Sequence, residues 1–316
     1  MFVAYNHLGQ YVNVLEKVPE KGSFTCPLCQ KAVVLKRGSV MRPHFAHVRL
    51  EACHFSGENE SAEHLSLKAA LYHALVKSAK VSVETVLPEI DQIADIWVND
   101  HLSLEVQCSR LSQERLIERT KAYQTAGYQV LWLLGERLWL RDRLSPLQKQ
   151  FLNFSANMGF YYWELDAKKR CLRLKYLIYQ DMKGRLYYKT KTCSFDGDIL
   201  AFLRLPYRLK KVESYRVKQD DKIQDYIQLK LYQNNNYWLK EQEKAYMAGD
   251  NLLTRSLADY YPQIRPIEKG QESCLITQDL QPFYRQFERY YQKEGYQTHQ
   301  TLYPPAFYGK IEEMGI

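Results

Sequence analysis

The fold of the middle of the chain is decided by ADIWVNDHLSLEVQCS, residues 94–109. Two runs rich in β-branched and large apolar residues, Ile93 to Val98 and Leu102 to Cys108, flank a polar Asn-Asp-His turn. The sequence therefore predicts an antiparallel hairpin. In a three-residue loop of this kind, Asp95 lies directly opposite Glu105 on one face. The hairpin thus brings two carboxylates into register.

Helix and strand signals continue outward from the hairpin. Before it, leucines and alanines at helical spacing in residues 59–76 predict a helix, and Val81 to Leu87 predicts a strand that Pro88 ends. After it, a second helix runs to Gly127, and Tyr128 to Leu134 predicts a buried strand. The predicted order is helix, three strands, helix, strand. Candidate N-caps are Ser56, Asn59 or Ser61 for the first helix and Ser109 or Ser112 for the second.

The carboxylate pair indicates a site for a divalent cation. Like charges in a cross-strand pair destabilise a sheet unless a cation lies between them, and strand alternation places Gln107 on the same face. Mg²⁺ takes oxygen ligands of this kind. Glu63, near the start of the first predicted helix, offers a further carboxylate, with His64 beside it. The alternative is an exposed hairpin that carries ordinary surface carboxylates.

A second metal site is indicated near the start of the chain. The CPLC motif of residues 26–29 has the spacing at which two thiolates on one turn reach a single Zn²⁺, with Zn–S bonds of about 2.3 Å. Two more ligands from downstream would close a structural Cys₃His site, whereas the alternative is a pair of ordinary buried cysteines. The expected ligands are Cys26, Cys29, His47 and Cys53, with His44 and His54 as alternatives for the last two positions.

Composition bounds the class of protein. Of 316 residues, 46% are apolar and 25% are charged, which suits two or three folded domains. The first residues carry no export signal, and no apolar run approaches the roughly 20 residues that cross a bilayer. Seven cysteines, an odd number, argue against a secreted disulfide framework. We expect a cytoplasmic protein, and the net charge of +8 fits a polyanionic partner.

Three regions differ in character. Residues 1–56 are predicted to form short strands and turns with too few apolar side chains for a core, so a zinc ion is expected to hold this segment together. Residues 57–150 contain the hairpin and its flanking elements. Residues 151–316 hold twenty of the 25 tyrosines. Apolar stretches such as 199–205 and 229–242 predict that this third region is a mostly helical domain.

Basic and aromatic residues are interleaved in the third region. Tyrosine rings can stack on unpaired bases while lysine and arginine side chains follow the phosphate backbone, which is typical of single-strand binding. The alternative is that the tyrosines form the core and the charges form a solvated face. The predicted DNA-binding residues are Arg204, Tyr207, Arg208, Lys210 and Lys211.

A family resemblance follows from these motifs. The order αβββαβ, with Glu63, Asp95 and Glu105-Val106-Gln107 in place, resembles the PD-(D/E)xK nuclease superfamily. More narrowly, residues 1 to about 150 resemble the competence protein CoiA family of naturally transformable bacteria. The resemblance implies an α+β or α/β protein with a zinc-ribbon-like N-terminal segment, a nuclease-like core, and a role in recombining imported DNA during natural transformation. The motifs that carry it are CPLCQKAVVLKRG, RPHFAH, SAEHLSLK, ADI, LEVQCS and ERTKAYQTAGYQVLWLLG.

The register of the two carboxylates leads to a hypothesis for the mechanism. Asp95 and Glu105 would hold one or two Mg²⁺ or Mn²⁺ ions that bind the scissile phosphate and lower the pKa of an attacking water. Glu63 would support a metal or orient that water, and Gln107 would position it.

One position departs from the superfamily pattern. The lysine expected two residues after the strand glutamate is Gln107, and an amide cannot neutralise developing phosphate charge. Lys68 and Lys121 on the flanking helices are candidate replacements, although each taken alone favours an ordinary solvated helix residue. Two functions remain open: a Mg²⁺- or Mn²⁺-dependent deoxyribonuclease, and a catalytically inactive single-stranded-DNA-binding adaptor that assists the recombinase.

Overall fold

A computed structural model describes residues 1–38, 41–48, 61–208, 211–267 and 273–313 of the chain. Within these ranges the chain forms eight α-helices and three β-sheets, a mixed α+β architecture. Among the same residues, no helix has the length and apolar character needed to span a bilayer.

The N-terminal region forms a five-stranded antiparallel sheet. Its core includes Phe2, Phe24, Val33 and Phe45, with the Phe24 and Phe45 rings 4.9 Å apart. These side chains are continuous with the main core of the molecule. The short strands confirm the sequence prediction, and the continuous core explains how a segment so poor in apolar residues is held. In sheet order the strands are β2 (Tyr11–Asn13), β1 (Val3–Asn6), β3 (Phe24–Thr25), β4 (Ala32–Lys36) and β5 (His44–His47).

The middle region has the predicted order of helix, three strands, helix and strand. Ser61 and Ser112 are the N-caps of the two helices and accept hydrogen bonds from the backbone N–H groups of His64 and Arg115. The candidate caps Ser56 and Asn59 lie outside the described residues. The elements are α1 (Ala62–Leu75), β6 (Val81–Leu87), β7 (Gln92–Val98), β8 (Leu102–Gln107), α2 (Gln113–Thr125) and β9 (Gln129–Leu134).

The hairpin has the predicted register. Strands β6, β7 and β8 are antiparallel neighbours, and β9 lies parallel to β8. Across the hairpin, Val98 pairs with Leu102 and Ile96 pairs with Leu104. Gly127 takes a φ of +78°, the left-handed conformation that ends α2 before β9 begins.

The sheet of the middle region continues beyond residue 150, so the prediction of a mostly helical C-terminal domain is wrong for residues 153–194. Strand β11 (Gly159–Asp166) is buried at every position, as expected of a strand covered on both faces, and it joins the sheet beside β9. Its aromatic run GFYYWELD favours a strand over a helix. The added strands are β10 (Asn153–Ser155), β11 (Gly159–Asp166), β12 (Cys171–Asp181), β13 (Leu186–Ser194) and β15 (Ile264–Pro266).

Helices dominate only after this sheet. The predicted helix at residues 229–242 is in fact two helices, because Asn234 has a left-handed φ of +52° and Asn235 caps the second one. Buried tyrosines such as Tyr179, Tyr291 and Tyr308 belong to the core, as the alternative interpretation of the tyrosines expected. The remaining elements are α4 (Ile199–Leu203), β14 (Tyr215–Lys218), α5 (Ile223–Tyr232), α6 (Asn236–Met247), α7 (Gln281–Glu294), β16 (His299–Leu302) and α8 (Pro305–Glu313), while the short α3 (Pro146–Gln150) precedes β10.

Three parts of the middle region meet at Gly135, directly after β9. A Cβ atom at this position would lie 2.7 Å from Cys108 Sγ and 2.9 Å from Glu63 Oε1. The backbone N–H of Gly135 also donates to the carbonyl of Gln107. Glycine is therefore required here by close approach of the start of α1 to the ends of β8 and β9.

Replacing Gly135 with alanine tests this packing. Gly135→Ala should lower the free energy of unfolding by about 1–3 kcal/mol, because the added methyl group has to displace Cys108 or Glu63. Urea denaturation measures the change. Gly22→Ala is the matched control, because its Cβ would have Phe24 ring atoms no nearer than 3.9 Å. Equal stability of the two variants would show that the contact at Gly135 is not tight.

Candidate functional site

Two carboxylates face each other across strands β6 and β7. The register places Glu84 opposite Asp95, with paired residues on both sides of them. Both carboxylates reach Lys68 of α1: Lys68 Nζ lies 2.7 Å from Glu84 Oε1 and 3.4 Å from Asp95 Oδ1. The ring of His64, one turn earlier on α1, places Nε2 3.5 Å from Asp95 Oδ1. We call Glu84, Lys68, Asp95 and His64 the acid–lysine cluster.

Asp95 is held in its ionised form. Burial alone would raise the pKa of its carboxyl group, but the positive charge of Lys68, together with His64, brings that pKa well below the ordinary value. Its Oδ2 atom accepts a hydrogen bond of 3.0 Å from the backbone N–H of Val106, which also favours the charged form. The side chain keeps 18% of its surface exposed. Asp95 is therefore an anion that solvent can reach.

Glu105 is enclosed under the second helix. Its Oε1 atom accepts hydrogen bonds of 2.7 Å from both Ser103 Oγ and Tyr123 Oη, and its Oε2 atom lies 2.6 Å from Arg119 Nη2. Only 1% of the residue is exposed. Burial and the Glu105 charge raise the pKa of Tyr123, so this tyrosine remains a hydrogen-bond donor. Glu105 is thus paired with a cation that belongs to α2.

The two hairpin acids are therefore neutralised separately. Asp95 is held from α1 by Lys68, and Glu105 is held from α2 by Arg119. Their mutual repulsion is relieved by two protein cations, one on each helix. A metal ion that takes both carboxylates as ligands would have to displace or sit beside the Arg119 guanidinium. The shared ion expected from the register remains a prediction.

Glu63 and Gln107 lie near Asp95, and each has a structural contact of its own. Glu63 Oε1 accepts a hydrogen bond of 2.9 Å from the backbone N–H of Glu136. Gln107 is 3% exposed, and its Nε2 atom donates to the carbonyl of Ser109 at 3.0 Å. Both residues line the same cleft as Asp95.

Of the two replacement lysines, only Lys68 lies at the site. The interpretation of Lys68 as a solvated helix residue is wrong, since it is 1% exposed and contacts two carboxylates. Lys121 is exposed on α2. Lys68 is buried and Lys121 is exposed because Lys68 lies on the face of α1 that packs against β6 and β7. Helical periodicity alone did not identify Lys68 as a residue of that face.

A cleft of about 1370 Å³ lies between the N-terminal sheet and the middle region. The acid–lysine cluster forms part of one wall, and the CPLC turn with strand β5 forms part of the other. Acidic and basic side chains both line its surface. Among the lining residues, the basic side chains outside the acid–lysine cluster include Lys36, Arg115, Arg119 and Arg137.

The CPLC turn brings three metal-binding side chains together. Ligand atoms of Cys26, Cys29 and His47 all lie within 4.8 Å of one another, and Cys29 Sγ is 3.3 Å from His47 Nε2. Burial raises the pKa of Cys26 to about 11 and lowers that of His47, so the imidazole is neutral and ready to coordinate. His44 Nδ1 instead contacts the Arg42 carbonyl at 2.8 Å. We call Cys26, Cys29 and His47 the knuckle; Cys53 and His54 lie outside the described residues.

The predicted DNA-binding segment lies on the surface after α4. Arg204, Tyr207, Arg208 and Lys211 are exposed, whereas Lys210 lies outside the described residues. Between them Leu205 and Pro206 are buried and anchor the segment. Tyr207 is 68% exposed, and its hydroxyl group meets that of Tyr161 at 3.0 Å. The exposed face therefore consists of one aromatic ring and three cations.

Two residues of this region were missed by sequence reasoning. Glu84 is the one charged residue in the predicted strand Val81 to Leu87, which was a usable signal. Arg119 belongs to a helix rich in charged residues, where nothing in the sequence distinguishes it from its solvated neighbours. Its pairing with Glu105 depends on how α2 packs on the sheet.

Comparison with known proteins agrees with the motifs. Residues 60–197 match the family model of the competence protein CoiA nuclease-like domain, and residues 9–56 match that of the CoiA N-terminal domain. Competence protein CoiA of Bacillus subtilis strain 168 is 30% identical over 168 residues, 49% of this chain and 44% of that protein. The match thus spans less than half the length of this relative. No solved structure matches the chain. The two family models match successive segments that together cover more than half of the sequence, and the chain belongs to the CoiA family of competence proteins.

Proposed function

We propose that the chain is a metal-dependent deoxyribonuclease that acts on imported DNA during natural transformation. The observation that carries this proposal is the solvent-accessible anion of Asp95 beside the buried ammonium of Lys68, 3.4 Å away, in a large cleft. A carboxylate that binds a divalent ion, next to a lysine that contacts phosphate, would support metal-dependent phosphodiester cleavage.

The donor set fits a hard cation. Asp95 offers a carboxylate oxygen, and Glu63 and Gln107 line the same cleft with further oxygen atoms. Bound Mg²⁺ or Mn²⁺ would supply an activated water and a contact to the scissile phosphate. Lys68 would stabilise the charge that develops on the phosphate, the role that Gln107 cannot fill.

A second candidate function is a non-cleaving adaptor that binds single-stranded DNA and brings it to the recombinase. The pairing of Glu105 with Arg119 at 2.6 Å favours this candidate, because it satisfies the strand glutamate without a metal. Both candidates need a surface for DNA. The exposed segment Arg204 to Arg208, with Lys211 beyond it, offers a ring for stacking and cations for phosphate.

We also infer that the knuckle holds a structural zinc ion, with Cys53 as the fourth ligand. Two cysteine thiolates and a neutral imidazole would form a soft donor set that selects Zn²⁺ over Mg²⁺. A structural zinc site is closed by four protein ligands, and we therefore assign the ion no part in the chemistry of cleavage.

Cleavage of labelled single- and double-stranded DNA with Mg²⁺ or Mn²⁺ tests the nuclease proposal. Asp95→Asn should abolish cleavage because the metal loses its charged ligand. Lys68→Met should slow it by about 10²–10³-fold, as for the loss of one transition-state donor. The exposed Lys121→Met is the matched control and should cleave normally. Thermal melting establishes that each variant is folded.

The outcomes of this assay separate the two candidates. Asp95→Asn protein that cuts as fast as the unaltered protein would refute the metal assignment. The adaptor would be supported if the unaltered protein binds single-stranded DNA but cuts neither single- nor double-stranded DNA with Mg²⁺ or Mn²⁺.

The salt dependence of single-strand binding tests the exposed basic segment. Removing a side chain that neutralises one phosphate should reduce the slope of log affinity against log salt by about 0.7. We expect a smaller slope and weaker binding for Arg204→Ala and Arg208→Ala. Lys80→Ala, which removes a 76% exposed lysine at another site, serves as the control. Identical slopes for all three variants would show that this segment does not contact the DNA phosphates.

Metal analysis by mass spectrometry tests the zinc assignment. The purified chain should contain one zinc ion, and Cys26→Ser should lose it and melt at a lower temperature, because zinc binding contributes to folding. Cys53→Ser should reduce the zinc content, whereas His44→Asn should retain it. The reverse result for the last two variants would make His44 the fourth ligand.

A further inference from the structure

Glu84 has an unusual conformation for a residue inside a strand. Its φ is +52°, the left-handed region, which costs a residue other than glycine of order 1 kcal/mol or more. The side chain is 7% exposed. Its Oε2 atom accepts hydrogen bonds from the backbone N–H groups of Phe2 at 2.6 Å and Val3 at 3.2 Å, and Oε1 contacts Lys68 at 2.7 Å. One buried carboxylate thus binds the N-terminal segment and the site lysine together.

The segment that Glu84 holds is hydrogen-bonded to both parts of the chain that carry the knuckle, the strand before Cys26 and the strand of His47. In β1, Tyr5 pairs with Thr25, the residue before Cys26. Met1 exchanges backbone hydrogen bonds with Phe45, at 3.1 Å and 2.8 Å, in the strand that carries His47. The knuckle and the backbone N–H groups of Phe2 and Val3 are therefore linked through one hydrogen-bonded strand.

On its other side, Glu84 determines how Lys68 is shared. Lys68 Nζ is closer to Glu84 than to Asp95, by 2.7 Å against 3.4 Å, and it lies 5.4 Å from the centre of the Phe2 ring. Without the charge of Glu84, the ammonium would pair fully with Asp95. That pairing would compete with a divalent cation for the same carboxylate oxygen.

We propose that Glu84 is a positioning residue that couples the zinc knuckle to the metal site at Asp95, by holding both the start of the chain and Lys68. The proposal rests on the proposed nuclease function. Zinc occupancy would then act on the metal site through β1, Glu84 and Lys68 in turn. In this proposal the N-terminal segment is part of the nuclease site, because it acts on Lys68 through Glu84.

Mn²⁺ affinity, measured by calorimetry on the zinc-loaded chain, tests the coupling without relying on cleavage. Glu84→Gln keeps an oxygen for Phe2 and Val3 but presents no charge to Lys68. We expect it to bind Mn²⁺ about 10–100-fold more weakly, the usual effect of losing an outer-shell partner. Zinc content should stay at one per chain, and the KM for DNA should change less than kcat.

The same substitution in a Lys68→Met background distinguishes positioning from general damage. If Glu84 acts through Lys68, then Glu84→Gln should have no further effect on Mn²⁺ affinity once Lys68 is gone. The proposal would be overturned if Glu84→Gln lowers Mn²⁺ affinity equally with and without Lys68, or if it does not lower the affinity when Lys68 is present.

Hydrogen exchange distinguishes failure of the coupling from failure of the nuclease function. Cys26→Ser should increase amide exchange at Phe2 and Val3 if the knuckle fixes the segment that Glu84 holds, and Lys80→Ala should leave it unchanged. Unchanged exchange in Cys26→Ser protein would overturn the coupling. Absence of both Mn²⁺ binding and cleavage in the unaltered protein would overturn the nuclease function, and the exchange result would then decide the coupling between knuckle and Glu84 alone.

Discussion

The buried ammonium of Lys68 is the constraint on which the arrangement of the site depends. A charged lysine that is 1% exposed is stabilised by nearby carboxylates, and Glu84 and Asp95 provide them from neighbouring strands. Breaking such a buried pair by removing one partner typically costs about 3–5 kcal/mol. Helix α1 and strands β6 and β7 are therefore fixed relative to one another by charge as well as by packing.

Because of this arrangement, the opposed carboxylates of Asp95 and Glu105 are weaker evidence for a bound metal ion than the sequence alone suggests. A sequence that retains opposed Asp95 and Glu105 suggests an ion between them, since their repulsion would otherwise go uncompensated. In the structure each acid has its own protein cation, Lys68 for one and Arg119 for the other. Compensation is therefore complete without a metal. What favours metal chemistry is the accessibility of Asp95 in the cleft, not the mere presence of two acids.

The sequence was sufficient for those features that local rules determine. The hairpin register, the serine caps of α1 and α2, and the order of the middle elements follow from turn chemistry and periodicity over a few residues. The strands of residues 153–194 were missed although local signals were present: Leu172, Leu174 and Tyr176 alternate with charged residues, and β11 is an aromatic run. The charge of Glu84 within its strand was a local signal, but its partners Phe2 and Val3 are more than 80 residues away in sequence, and no local pattern encodes that contact.

The position of the N-terminal sheet has consequences for how the protein works. Strands of two to five residues, with few apolar side chains, cannot form an independent core. The sheet therefore shares the main core, and its docking creates the cleft above Asp95. Because Glu84 is the buried charge that accepts hydrogen bonds from both sides of this junction, the same interaction that docks the sheet also orients Lys68. The N-terminal segment thus forms one wall of the cleft and donates the hydrogen bonds that hold one end of the charge network.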